Sequence, residues 1–66
     1  MTLPELTKYG VLIAWGFPPL FDRVQRIMAL ARRLVRKHRQ AEPAICVAYR
    51  NLIDDTVVRH VAFYAR

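Results

Sequence analysis

Twenty-one consecutive residues, Leu20 to Gln40 (LFDRVQRIMALARRLVRKHRQ), constrain the fold of this chain more than any other stretch. Leu20, Val24, Ile27, Met28, Ala31, Leu34 and Val35 recur at spacings of three and four, which at about 100° per residue places them on one stripe of an α-helix. Arg26, Arg32, Arg33, Arg36, Lys37 and Arg39 spread over the opposite side, with Arg23 on the border. The pattern predicts an amphipathic helix over 20–40 whose apolar side the rest of the chain must cover. Asp22 in the first turn and the basic residues Arg36 to Arg39 in the last both suit the helix dipole.

The same stretch sets the charge. It holds six Arg, one Lys and one Asp, while Lys8, Arg50, Arg59 and Arg66 elsewhere are matched by Glu5, Glu42, Asp54 and Asp55, so the whole formal charge of +6 belongs to it. A merely solvated helix mixes Glu with Lys; this one is close to single-signed and rich in Arg. Guanidinium groups stay charged and donate bidentately to phosphate. The expectation is a small, non-catalytic, basic regulatory protein that contacts the nucleic-acid backbone through Arg26, Arg32, Arg33, Arg36, Lys37 and Arg39. An acidic protein surface is the next candidate partner and an anionic membrane surface the third. The competing explanation is a charged face that only keeps an apolar protein in solution. No helix-turn-helix supports sequence-specific reading, because Gly16 is followed by Phe17 and two prolines rather than by a recognition helix.

Sixty-six residues make a single small helical domain, 1–66, and a chain of this size buries only about 60% of the surface its unfolded form exposes. Yet 55% of its residues are hydrophobic. That surplus predicts a homo-oligomer, or an apolar patch meant for another protein. Cys46 has no second cysteine to pair with or to build a zinc site, which fits a reducing, cytoplasmic location. The apolar run Tyr9 to Phe21 is interrupted by Gly10, Gly16, Pro18 and Pro19, lacks a basic leader, and is shorter than the ~20 residues a membrane helix needs. Neither a cofactor nor a metal is expected.

On the N-terminal side, Thr2 to Glu5 has the form of a capping box, with Pro4 in the first turn. A helix from there would end at Gly16 in the left-handed conformation, with Phe17 folding back on Leu12. A strand over Tyr9 to Phe17 is the alternative, since the odd positions are large. Pro18 and Pro19 make a corner, and Pro43 should end the basic helix near Gln40 or Ala41. Beyond it, Ile45, Ala48, Tyr49, Leu52 and Ile53 share one helical face. Val57, Val58, Val61, Ala62 and Ala65 share another that is out of phase with it, so a bend is expected, with Asp54 or Asp55 capping a last helix. The fold expected is all-α: a small bundle of three to four short helices around the central basic helix, oligomeric. The alternative is α+β, one long helix on a small sheet containing a hairpin of 45–50 with 56–64.

Other side chains invite chemistry more weakly. Trp15, Phe17 and Phe21 surround the proline corner, either as an aromatic plug or as an exposed anchor for a partner, the latter suiting an adaptor or inhibitor that docks on a larger protein. Tyr49, Phe63 and Tyr64 fit a dimer contact or a base-stacking platform. His60, among Val57, Val61 and Tyr64, reads as a half-buried structural histidine, and His38 as a solvated or phosphate-contacting one. Nothing in the spacing joins Cys46 to His60 as nucleophile and base, so no catalytic residue is assigned.

Overall fold

The structure, a computed structural model, describes residues 1–64. Three α-helices follow one another, α1 (Leu3–Gly16), α2 (Phe21–Lys37) and α3 (Glu42–Tyr64), joined by short 3₁₀ turns at Pro18–Leu20 and Arg39–Ala41. The described residues contain no strand, so neither the strand over 9–17 nor the hairpin of the α+β alternative forms. The connections are too short to do anything but reverse the chain, so the helices run up, down and up.

One core holds them together. Leu6 and Ala14 of α1, Leu20 of the first turn, Val24, Met28, Ala31 and Val35 of α2, and Cys46 and Ile53 of α3 are all buried. Ile27 packs half-buried against them, as do Leu3, Tyr9, Ile13, Ile45, Tyr49 and Val57. Of the apolar stripe read from residues 20–35, Leu20, Val24, Ile27, Met28, Ala31 and Val35 therefore face inward, while Leu34 is half-buried outside this cluster. Close approach of α1 to α2 depends on Gly10, which is buried in mid-helix: a Cβ built there would overlap Met28 Sδ and lie 3.0 Å from Met28 Cγ. The residue that counts against a helix by propensity is what lets this helix pack.

Several local expectations need correction. Thr2 does occupy the N-cap with extended backbone, but its hydroxyl makes no capping bond; it donates to Glu5 Oε1 at 3.2 Å instead. The Leu3 N–H, free of a local cap, donates to Glu42 Oε1 at 3.3 Å, tying the start of α1 to the start of α3. Gly16 stays in ordinary right-handed geometry, since no described residue has a positive φ, and α1 closes with Phe17 N–H donating to the Ile13 carbonyl at 2.9 Å. No left-handed cap forms there. The basic helix is shorter than 20–40: it stops at Lys37, where His38 N–H donates to the Leu34 carbonyl, and Arg39 to Gln40 lie in the following turn. Pro43 does not interrupt a helix but stands in the first turn of α3, where its missing N–H leaves no bond unmade.

The largest correction concerns α3. It is one helix of 23 residues rather than two with a bend. Asp54 and Asp55 cap nothing; Asp55 pairs with Arg59 one turn on, at 3.1 Å on the surface, and Thr56 Oγ1 donates back to the Leu52 carbonyl at 2.8 Å. Ile45, Tyr49, Ile53, Val57 and His60 form its inward stripe, so the out-of-phase valines Val58 and Val61, with Ala48, Leu52 and Ala62, are left outside. Ala65, the last member of that second face, lies outside the described residues.

Candidate functional site

The basic residues divide into two groups by where α2 and the following turn place them. Arg26, Arg33 and Lys37 are exposed on the side of α2 turned away from the core, within about 16 Å along the helix. Arg32 is half-buried, and with Arg36 and Arg39 it borders a shallow depression of about 340 Å³ closed on its other side by Leu3 and Glu42. Arg36, Lys37, His38 and Arg39 also line the outer face of the connecting turn. The six cations named from sequence thus form one continuous surface running from the outer side of α2 around its C-terminal end. Arg23, at the far end of α2, faces a different groove.

No acid of the described residues forms an ion pair with this surface. Among the described residues the one ion pair is Arg59 with Asp55, far along α3, and no carboxylate lies within 4.0 Å of any α2 cation. Even Glu42, at the edge of the depression, spends one oxygen on the Leu3 amide. Arg50 is the other cation with a defined partner, its guanidinium lying 4.8 Å from the centre of the Tyr9 ring. A bound polyanion would therefore find cations that need break no existing pair.

At the opposite end of the bundle the surface is aromatic. Trp15 and Phe21 are exposed and Phe17 is on the margin of exposure, so the three do not plug the corner as a small core. Phe63 and Tyr64 stand beyond them on α3, edge to face at 5.3 Å, and Tyr64 packs on His60 at 4.4 Å. Tyr49, by contrast, is half-buried against the core and is no stacking platform.

The remaining nucleophile is out of reach. Cys46 is fully buried, and burial first, with the nearby Glu42 carboxylate second, pushes its thiol above the usual range. It remains a protonated, packed side chain. Cys46 and His60 are fourteen positions apart on one straight helix, about 21 Å along its axis. No group of three metal-ligating side chains comes together among the described residues. No described helix is long and apolar enough to cross a membrane. Comparison with protein-family models, with curated proteins and with solved structures finds no match to this chain.

Proposed function

We propose that this protein is a non-catalytic, cytoplasmic nucleic-acid-binding protein with a regulatory role, organised around α2 as its central basic helix. Arg26, Arg33 and Lys37 contact one line of phosphates, and Arg32, Arg36 and Arg39 a second. The observation that carries this reading is the uncompensated, outward-facing row of cations on α2. Such contacts hold the backbone and fix orientation without reading bases. Arg suits that role better than Lys, through its planar fork of donors.

Fluorescence anisotropy with a labelled duplex, at several salt concentrations, tests it. Log K should fall linearly with log salt, with a slope of about 0.9 for each phosphate contact. The triple variant Arg26→Gln, Arg33→Gln, Lys37→Gln should lower that slope by about 2 to 3 and weaken binding at low salt on the order of a hundredfold. Equal affinity for wild type and variant, or a slope near zero, rules the reading out. Repeating the titration with hairpin RNA then separates duplex DNA from RNA as the preferred form.

A further inference from the structure

The end of the molecule opposite the basic turn is built differently. Glu42 touches Leu3, so α3 starts level with α1, yet it has nine more residues and outruns α1 by about 13 Å. Between this overhang and the start of α2 runs an open groove of about 560 Å³, bordered by Pro19, Leu20 and Arg23 on one wall and Leu52, His60 and Phe63 on the other. Phe63 and Tyr64, which line it, are 72% and 71% exposed, and at the same end of the bundle Trp15 at the close of α1 and Phe21 at the start of α2 are 79% and 49% exposed. The overhang, about two and a half turns, has no neighbouring α1 beside it, so Phe63 and Tyr64 stand in water. Its apolar sides need cover.

We propose that this end is a self-association surface, and that its occupant is a second copy of the same chain. The two α3 overhangs lie antiparallel about a two-fold axis, each against the groove and the Trp15–Phe21 corner of its partner. Area is the first argument. With aromatic side chains presenting roughly 150–250 Å² each, Trp15, Phe21, Phe63 and Tyr64 at their exposures offer on the order of 500 Å², the larger part of the ~800 Å² per partner of a standard interface.

Charge is the second argument, and it selects the partner. Among the described residues the ionic groups around this end are Asp22, Arg23, Asp54, Asp55 and Arg59, three acids and two arginines, so the rim is mixed in sign and close to neutral and can pair with itself under two-fold symmetry. Neither a strongly acidic nor a strongly basic partner would be favoured there. The molecule extends 42 Å along its long axis, and the cations of the Lys37–Arg39 turn are at the other end. Joining through the apolar ends therefore keeps the two Lys37–Arg39 turns as far apart as the shape allows. Association through any face of α2 would bring them together. The surface is independent of the nucleic-acid reading and stands or falls without it.

Trp15 is the only tryptophan and reports on the surface directly. Sedimentation equilibrium of the full chain at micromolar to ~100 µM concentration should give twice the 7.7 kDa monomer mass, and dilution should shift tryptophan emission to the red as the dimer dissociates. Trp15→Glu and Phe63→Glu, both at exposed positions, should each raise the dissociation constant at least about thirtyfold, as loss of a central anchor does, with the helical circular dichroism unchanged. Lys8→Gln, at an exposed position of α1 in neither surface, should leave it as it is. If one of the two glutamate variants unfolds, the other decides. A wild-type protein that stays at 7.7 kDa throughout overturns the proposal. So does a monomer that gathers on phosphatidylcholine vesicles, which would give this end to a lipid surface, or a dimer insensitive to both glutamate substitutions. Failure of the Arg26, Arg33 and Lys37 test would leave these outcomes untouched.

Discussion

At the scale of single residues the two glycines behave oppositely, although both lie in α1. Gly10 is buried against Met28, while nothing lies within 4 Å of a Cβ added at Gly16. Both have helical backbone, so alanine at either position gains helix propensity, about 1 kcal/mol in mid-helix and less at the last residue. At Gly16 that gain stands alone, and Gly16→Ala should stabilise by about 0.5 kcal/mol. At Gly10 it is opposed by ~1–3 kcal/mol of overpacking in a closed core, and Gly10→Ala should be net destabilising by about 1 kcal/mol. Urea unfolding of the two variants at equal m-values measures both. Adding Met28→Ala to Gly10→Ala should cost less than the two single losses together, because each relieves the other. Additive losses would mean that Met28 is not what fills the space above Gly10.

At the scale of elements, α3 decides how much of this fold could be read in advance. The basic helix was legible because its apolar residues keep one stripe and its charges the other, so period alone reveals it. In α3 the apolar residues surround the helix, and Val58 and Val61 look like a second face that a bend should bury. They are outside instead, and two adjacent aspartates that resemble a cap are simply solvated positions on a continuing helix. Cys46 was missed as a core residue for a related reason, since a lone cysteine draws attention to its chemistry before its packing. Among the site residues, the outward cations followed from the same period as the stripe. The convergence of Arg32, Arg36 and Arg39 near Glu42 did not, because it depends on where the chain turns after Lys37. Amide exchange and Cα shifts test the continuous helix: Asp54, Asp55 and Thr56 should have helical shifts and protection similar to Asn51. Fast exchange and extended shifts at Asp54 or Asp55 would restore the bend.

At the scale of the whole molecule, the charge that suits a polyanion is a burden to the free protein. Like charges held on one helix and turn, with no acid of the described residues within pairing distance, repel one another more in the compact state than in an expanded chain. In about 0.01 M salt the screening length is ~30 Å, longer than the ~25 Å of α2, so every cation on the helix feels all the others. Near 0.15 M it falls to ~8 Å and only neighbours interact. Raising salt across this range should therefore stabilise the free protein by about 1 kcal/mol, several degrees in Tm for a domain of this size. The triple variant Arg26→Gln, Arg33→Gln, Lys37→Gln should already have much of that stability at low salt and respond less to further salt. Because the same salt weakens any phosphate contact, a duplex added at low salt should raise the Tm of the wild type and lose this effect near 0.15 M, while the free protein gains. Thermal scans of both proteins across the salt series separate the two contributions. A wild-type Tm that falls as salt rises would mean that attractive pairs outweigh repulsion, and that the arginines of α2 already have partners within the fold.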